Sequence, residues 1–177
     1  HTEVRRQRQM CIRDSYNLSY FMVDWDNPQL NTSTPVNGYY AVVNGDTAQI
    51  NGFDVELSGS VGAIDWNVGY SNKNARLSSD FYTPADTPVL YARSGAKLPG
   101  SPDHTFNLNL AHTSYFGKTD DILSGMGMVN RLDLYAQSST RNYIGDNSAY
   151  DAEFDGFNII NASSTIFNDD MLSLIHI

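Results

Sequence analysis

Residues 53–58 have the sequence FDVELS, in which every second side chain is apolar and the intervening ones are acidic or hydroxylated. The stretch IDWNVGY at residues 64–70 and the stretch FNLNL at residues 106–110 repeat this alternation. Successive side chains of a β-strand point to opposite faces, so a period of two predicts strands with one apolar and one polar face.

The whole of residues 16–170 is predicted to be all-β, because no window shows the apolar spacing that a helix of normal length requires. Gly, Asn, Asp, Ser and Thr are abundant there, and Glu is rare. The second strand is expected to be bent or bulged near Gly45 and Gly52. The six expected strands cover approximately residues 16–25, 38–58, 62–74, 104–114, 128–138 and 156–167.

The connections between these strands alternate in length. Residues 59–62 form a tight turn and residues 115–127 an intermediate connection, whereas residues 27–37, 75–103 and 139–155 form long polar connections. An outer-membrane barrel has short turns at its periplasmic end and long loops at its extracellular end. The pattern fits part of an antiparallel up-and-down transmembrane β-barrel. A soluble β-sandwich also alternates, and periodicity alone favours neither fold.

The two folds differ in what each face of the sheet contacts. In a transmembrane barrel the apolar side chains face lipid, the polar ones line the lumen, and aromatic residues lie near both interfaces; in a sandwich the apolar side chains form the core. For the barrel, the predicted lumen-facing residues are Asp54, Glu56, Asp65, Asn67, Asn107 and Asn109. The predicted interface aromatic residues are Trp25, Trp66, Tyr70, Phe106 and Phe157.

Composition and charge exclude several classes of function. The 177-residue chain carries 20 acidic and 11 basic residues, a formal net charge of −9, which argues against a nucleic-acid partner. Its single cysteine, Cys11, cannot form an internal disulfide or a zinc site alone. No stretch approaches the roughly 20 apolar residues of a membrane-spanning helix, so this chain could cross a bilayer only as a closed barrel.

The two ends of the sequence differ from the rest. Residues 1–15 (HTEVRRQRQMCIRDS) resemble translated sequencing-adapter read-through, and residues 172–177 (LSLIHI) resemble a second such segment. We expect both to be non-native, which leaves residues 16–171 as the partial barrel and Cys11 without a function. The alternative for the first segment is a genuine basic arm that contacts lipid or nucleic acid. No signal peptide is visible, so the sequence is expected to be truncated.

Four stretches resemble the C-terminal barrel of TonB-dependent outer-membrane receptors. Residues 20–26 (YFMVDWD) are similar to an aromatic strand that ends in an acidic residue beside Trp. Residues 44–56 (NGDTAQINGFDVE) are similar to the family's N-x-G-x-A-x-x-x-G-x-E-x-E signature, although the first glycine follows the asparagine directly and Asp54 replaces the usual Glu. Residues 95–108 (GAKLPGSPDHTFNL) resemble the G-x-x-L-P-x-x-P-x-H segment that leads into a descending strand, and residues 157–162 (FNIINA) resemble a later strand.

The resemblance covers nearly all of residues 16–170 in the family's order. It implies about six strands of a larger barrel in the bacterial outer membrane, and a transporter rather than an enzyme. It further implies energised uptake of a scarce ligand, such as a ferric siderophore, cobalamin or a glycan. The implied partners are membrane lipid, a small-molecule ligand such as a metal chelate, and the TonB complex, reached through a plug domain absent from this sequence. No cofactor is implied.

The long connections carry the candidate ligand-binding residues. Arg and Tyr are suited to hold an anionic or aromatic cargo, although they are also ordinary loop residues. The candidates are Tyr82, Tyr91, Arg93, Arg141 and Tyr143.

No catalytic or metal site is predicted. His104 and His112 share a strand face but lie about 26 Å apart, too far to bind one metal ion. Asp54 and Glu56 could act as paired carboxylates, yet wetted lumen-facing carboxylates are the simpler interpretation. The main alternative function is a soluble or surface-attached β-sandwich that binds carbohydrate. An outer-membrane enzyme barrel is a weaker alternative.

Overall fold

The computed structural model describes residues 14–33, 40–83, 88–116, 125–144 and 152–168. No helix within these ranges is long and apolar enough to cross a membrane. Residues 1–13 and 172–177, which hold most of the two ends predicted to be non-native, lie outside the described residues. The strands are β1 (Ser15–Asp26), β2 (Gln29–Ser33), β3 (Tyr40–Asn44), β4 (Thr47–Val61), β5 (Ile64–Leu77), β6 (Phe81–Tyr82), β7 (Leu90–Ala92), β8 (His104–Tyr115), β9 (Met126–Gln137), β10 (Thr140–Arg141), β11 (Glu153–Phe154) and β12 (Phe157–Asn168).

Six long strands form one antiparallel sheet in the order β1-β4-β5-β8-β9-β12. Each of these strands pairs with the next long strand along the chain, as in the wall of an up-and-down barrel. The sheet is not closed, because β1 and β12 each keep one edge without a partner among the described residues. The prediction of a partial, antiparallel, all-β barrel is confirmed.

The connections divide the sheet into a turn end and a loop end. At the turn end, β4 and β5 are joined by Gly62 and Ala63, and Gly62 has φ 64°, a conformation that glycine adopts without strain. At the loop end lie three small two-stranded sheets, β2-β3, β6-β7 and β10-β11. The predicted alternation of short and long connections is therefore observed, and each long connection contains a hairpin of its own.

The second predicted strand, residues 38–58, is wrong as a single strand. The chain breaks at Gly45 and Asp46 into β3, which pairs with β2, and β4, which pairs with β1 and β5. The Gly45 N–H donates to the Pro28 carbonyl at 2.7 Å, and the Asn27 N–H donates to the Asp46 carbonyl at 2.8 Å. These two backbone hydrogen bonds close the base of the β2-β3 hairpin, so the sequence signal at Gly45 marked a strand boundary and not a bulge.

The uninterrupted register assigns each residue of the sheet to one of two faces. The face that bears Phe53, here called the Phe53 face, carries the even-numbered residues of every long strand except β4, where it carries the odd-numbered ones. The opposite face is called the Asp54 face. Large apolar side chains on the Phe53 face include Tyr16, Leu18, Tyr20, Val55, Leu57, Ile64, Trp66, Val68, Tyr70, Phe106, Leu108, Leu110, Leu132, Leu134 and Ile160.

The two faces exchange polarity near the loop end of β4 and β5. There the Phe53 face becomes polar, with Gln49, Asn51, Asn72, Asn74 and Arg76. The Asp54 face becomes apolar and is covered by the connections. The buried cluster on that side consists of Leu30, Ala48, Ala75, Leu77, Phe81, Ala92, Leu98 and Ile144. On the loop-end side of this boundary the Phe53 face is polar and the Asp54 face is packed under the connections. On the turn-end side the Phe53 face is apolar and the Asp54 face is polar.

Below the boundary the sheet is a single layer. None of the five apolar residues that a sandwich would bury is buried: Phe53 is 37% exposed, Ile64 is 44% exposed, and Val55, Trp66 and Val68 are half-buried. The buried apolar side chains in the described ranges all lie at the loop end. The described residues therefore form no dry centre between two sheets, and the β-sandwich alternative is not supported.

The apolar band on the Phe53 face is inclined to the rows of paired residues. The upper border of the band is formed by the large apolar side chain of each strand that lies nearest the loop end. From β1 to β12 this border moves by six residues of register toward the turn end. Six residues span about 20 Å along a strand, and five interstrand steps span about 24 Å, so the slope is about 40°. Strands of a transmembrane barrel tilt by about 35–45° from its axis, so a horizontal membrane border would show this inclination. The border residues are Met22, Phe53, Tyr70, Phe106, Leu134 and Ile160.

Candidate functional site

Side chains on the Asp54 face form hydrogen bonds across neighbouring strands. Asn67 donates to Glu56 Oε1 at 3.3 Å and accepts at Oδ1 from Asn107 Nδ2, also at 3.3 Å. Asn109 donates to Asp133 Oδ1 at 2.9 Å. All six residues predicted to face the lumen share this face. The Asp54 face is thus a polar wall whose side chains are partly paired with one another.

Gly69 permits one of these contacts. It lies opposite Asn107 in the β5-β8 register, and a Cβ at this position would collide with the Asn107 side-chain amide. The missing side chain leaves room for the Asn107 amide to lie flat on the sheet and reach Asn67.

An open groove of about 400 Å³ runs across the same wall nearer the turn end. Its lining includes Asp65, Asn67, Asn109, Arg131 and Asp133. Charged and amide groups of both signs make this surface suited to water or to another polar protein surface. They do not make an enclosed site for an apolar ligand.

A second cavity, the loop-end chamber, lies on the Asp54 face where the connections fold over the sheet. It has a volume of about 290 Å³ and is lined by Trp25, Gln29, Ile50, Lys73, Leu98 and Ser101 among others. Trp25 keeps 43% of its surface exposed. The Ser101 hydroxyl is buried and has no hydrogen-bond partner within the described part of the chain. An aromatic ring, an ammonium group and an unsatisfied hydroxyl thus converge in one partly apolar chamber.

An aromatic cluster ties two of the connections together. Phe81 is 3% exposed and meets the ring of Tyr91 edge-on, with centroids 5.8 Å apart. Tyr91 in turn contacts Tyr143 with centroids 6.0 Å apart, and Tyr143 is 7% exposed. Because these rings come from the second and third long connections, their contact fixes both over the end of the sheet.

A third cavity, here called the cationic cavity, has a volume of about 350 Å³ and is lined by four cationic side chains, Arg76, Arg93, Lys97 and Arg141. Asp103 lies beside it: Lys97 Nζ is 2.9 Å and Arg76 Nη2 is 3.6 Å from Asp103 Oδ2. Lys97 also donates to the Ser139 carbonyl at 3.1 Å, which leaves its side chain only 12% exposed.

No group of three or more His, Cys, Asp or Glu residues that could hold a metal ion occurs among the described residues. His104 contacts other side chains instead: its Nδ1 lies 2.9 Å from the Tyr70 hydroxyl and 3.2 Å from Asn72 Nδ2. The surface thus offers polar and cationic binding groups, on a single-layer sheet with an inclined apolar band.

Comparison with known families agrees with this architecture. The family model described as TonB dependent receptor-like, beta-barrel matches residues 12–173. The chain belongs to the TonB-dependent receptor β-barrel family. A search of curated proteins and a search of solved structures each found no significant match. TonB-dependent receptors are transporters, and the family assignment supports a receptor fragment without naming its ligand.

The motifs that carried the resemblance occupy defined places in this TonB-dependent receptor wall. The segment from Gly95 to Asp103 leads into β8, which begins at His104, and Leu98 within it is 5% exposed. Its backbone continues the sheet beside β5, since Leu98 N–H donates to the Ala75 carbonyl at 3.0 Å. Pro99 and Pro102 lie outside every strand, where a missing N–H costs no ladder hydrogen bond.

The five residues predicted to bind ligand fall into three different places in the receptor wall. Tyr91 and Tyr143 pack against each other and support the connections. Arg93 and Arg141 line the cationic cavity, although they are 48 residues apart in sequence. Tyr82 is 50% exposed on β6. The structure therefore brings these residues together as two pairs and not as one site.

Two of the predicted interface aromatic residues are on the wrong face. Trp25 pairs with Ala48, and Phe157 pairs with Gln137, so both lie on the Asp54 face. Trp66, Tyr70 and Phe106 do lie on the Phe53 face, as predicted. Around Trp25 the neighbouring run of four apolar residues, Tyr20-Phe21-Met22-Val23, conceals the alternation that would have shown its face.

The sequence interpretation missed Trp25 and Lys73 as members of the loop-end chamber, and Arg76 and Lys97 as members of the cationic cavity. For Lys73 and Arg76 a usable signal exists. Counting outward from the clear alternation at residues 64–70 places Lys73 on the Asp54 face and Arg76 on the Phe53 face. For Lys97 no such signal exists, because its position depends on how the connection folds back beside β5.

Proposed function

We propose that this chain forms part of the wall of an outer-membrane receptor that captures a scarce ligand and passes it inward by energised transport. The observation that carries this proposal is the uncovered, inclined apolar band on the Phe53 face. Barrel strands are tilted from the membrane normal, so the apolar band that contacts a flat lipid layer must cross the rows of paired residues at about the tilt angle, here about 40°. The Phe53 face accordingly meets acyl chains, and the Asp54 face borders the lumen.

Two polar residues within the apolar band are paired with each other. Ser164 donates to Asn130 Oδ1 at 2.8 Å across the β9-β12 pair, which reduces the cost of placing both groups in an apolar layer. At the loop end of the band, Tyr70 and His104 form a hydrogen-bonded pair where lipid gives way to water. Rings with an apolar body and a polar tip favour such an interface.

The loop-end chamber is the part of this chain best suited to contact cargo. It lies on the lumen side, under the connections, and combines the Trp25 ring with the Lys73 ammonium and the unpaired Ser101 hydroxyl. These groups favour an anionic or aromatic ligand with hydrogen-bonding groups, which includes metal chelates, cobalamin and glycans. Tyr82 is a further candidate for contact from the exposed surface of the second long connection.

The groove lined by Asp65, Arg131 and Asp133 would face the interior of the closed barrel. A plug domain linked to the TonB complex would occupy that interior, and its polar surface would meet this wall. The groove's mixed charge and its open shape support such a contact, because wet interfaces between polar surfaces tolerate opposite charges and bridging water.

Energised uptake can be tested in cells that express the complete receptor containing these strands. Three labelled probes would be supplied: a ferric hydroxamate chelate, cyanocobalamin and a maltooligosaccharide. We expect one of them to accumulate, to stop accumulating when a protonophore is added, and to accumulate less with Trp25→Ala. Equal uptake in a strain without the receptor, or uptake that ignores the protonophore, would contradict the proposal.

A further inference from the structure

The cationic cavity concentrates positive charge in an acidic chain. The described ranges contain six Lys and Arg residues, and four of them line this one cavity, although the chain as a whole has a formal charge of −9. Three acidic residues lie close to it. Asp103 engages Arg76 and Lys97, Glu153 lies opposite Arg141 in the β10-β11 register, and Asp80 Oδ1 accepts from the Ser94 N–H at 2.8 Å. Four positive and three negative groups leave a small excess of positive charge.

The register places the cavity on the outer side of the sheet. Arg76 shares the Phe53 face with Tyr70, because the β4-β5 register runs without a shift from one to the other. Lys97 forms an isolated antiparallel bridge with Arg76, and directly paired residues share a face. The cavity therefore opens on the side that the proposed function assigns to lipid, and not toward the lumen.

The position of the cationic cavity along the membrane normal can be estimated from Asp103. This residue precedes His104, the first residue of β8, and lies three residues before Phe106, the upper border of the apolar band on that strand. Three residues span about 10 Å along a strand and less along the membrane normal when the strand is tilted. The headgroup layer extends roughly 5–7 Å beyond each side of the hydrocarbon core. The charged ends of Arg76 and Lys97, held at Asp103, thus lie at about headgroup level.

The shape of the cavity also suits a small anion. Its floor comes from the turn that contains Ser94 and Gly95, where the Ala96 N–H closes onto the Arg93 carbonyl at 3.0 Å. Small side chains at these positions leave room between the longer cationic ones. Arg93, at the start of the turn, is exposed and lines the same cavity as Arg76, so both can contribute a guanidinium group to one bound phosphate.

We propose that the cationic cavity binds the phosphate of an anionic lipid headgroup in the outer leaflet and so fixes the height of the receptor in the membrane. The proposal rests on the lipid-facing orientation of the Phe53 face. Arg76 and Arg93 contact the phosphate, Lys97 supplies a held charge, and Asp103 is the positioning residue that orients Arg76 and Lys97. A free phosphorylated solute offers the same phosphate group, but its binding would not depend on a cavity that opens toward lipid at headgroup level.

The test measures the lipid retained by the complete receptor after purification from nanodiscs that contain equal amounts of phosphatidylglycerol and phosphatidylcholine. We expect phosphatidylglycerol to be enriched in the wild type and the enrichment to fall about fivefold for each charge removed in Arg76→Gln and Arg93→Gln. Arg131→Gln is the matched control, since it removes the same charge from the Asp54 face. It should leave the enrichment unchanged.

Arg93→Gln keeps the test decisive if Arg76→Gln fails to assemble, because Arg93 is exposed. Equal retention of the two lipids by the wild type would overturn the proposal, and so would an equal loss in Arg131→Gln. A separate titration uses inorganic phosphate and lipid-free receptor. Tight phosphate binding that is lost in the Arg93 variant would assign the cavity to a soluble ligand and overturn the lipid assignment. Uptake of cargo by Arg76→Gln should stay at the wild-type level, which separates this inference from the transport function.

Discussion

The Tyr70 hydroxyl lies 2.9 Å from His104 Nδ1, and the two rings stack with centroids 6.1 Å apart. Both residues are on the Phe53 face, at the level where its apolar band ends and polar side chains begin. His104 begins β8 directly after the Pro-rich segment, so this pair joins the start of that strand to β5. In the proposed orientation, the contact marks the border between lipid and water on this part of the wall.

Removing the Tyr70 hydroxyl should remove its hydrogen bond to His104 while the aromatic ring keeps its place in the sheet. We expect Tyr70→Phe to lower the free energy of unfolding by about 0.5–1.5 kcal/mol, the usual net value of one hydrogen bond. Urea titration of the complete receptor in lipid vesicles measures the change. Tyr82→Phe is the control, because Tyr82 is 50% exposed, and it should change the stability little. An equal effect of both substitutions would show that the Tyr70–His104 contact contributes nothing specific.

A charge on the Phe53 face should block membrane assembly, and the same charge one residue away should not. Val68 pairs with Leu57 and Leu108 within the apolar band, so Val68→Lys should destabilise the assembled barrel by about 2–4 kcal/mol. Asn67→Lys places the charge on the Asp54 face, where water is available. The yield of heat-modifiable barrel in membranes reports the outcome. Similar yields for the two variants would contradict the assignment of faces.

The loop-end chamber predicts a loss of ligand affinity on removal of its aromatic ring. Trp25→Ala should weaken binding of the transported probe by about 10- to 30-fold, because a buried aromatic contact at a binding site is often worth 1.5–2 kcal/mol. Val89→Ala, at an exposed position of the second long connection, serves as the control. Equilibrium binding to the purified receptor is the measurement. Unchanged affinity in Trp25→Ala would place the cargo elsewhere.

The aromatic cluster predicts a local rather than a global loss of structure. Phe81→Ala should destabilise the second long connection by about 3–5 kcal/mol, since it removes a nearly buried ring that contacts Tyr91. Hydrogen exchange should accelerate near Tyr91 and Ala92, while β9 stays protected. Phe154→Ala is the matched control, because Phe154 is 56% exposed and its loss should have little effect. Acceleration spread evenly over the sheet would contradict this local role.

Much of the fold was predictable from sequence because a strand's period of two is visible wherever one face is uniformly apolar. Residues 53–58 and 64–70 show that period without interruption, and the structure bears out their faces. The faces of Trp25 and Phe157 were not predictable in the same way. Both lie at the loop end of their strands and remain about half exposed, so neither shows the regular alternation of a uniformly apolar face.

The binding cavities were less predictable than the strands. Arg93 and Arg141 were recognised by residue type, but their meeting with Arg76 and Lys97 depends on contacts between segments far apart in sequence. One of these is the backbone pairing that places the 95–98 segment beside β5. Local alternation carries no information about such long-range pairings. The family resemblance predicted where β8 starts, yet it did not predict the cavity that the preceding segment builds.

The most direct test of the account is a spin-label scan of residues 64–70 in the complete receptor reconstituted in lipid. Each residue is replaced in turn by a labelled cysteine, and the accessibility of the label to oxygen and to a water-soluble nickel complex is measured. We predict that oxygen access peaks at Ile64, Trp66, Val68 and Tyr70, and that nickel access peaks at Asp65, Asn67 and Gly69. The opposite phase, or no period of two, would contradict the claim that the Phe53 face meets lipid.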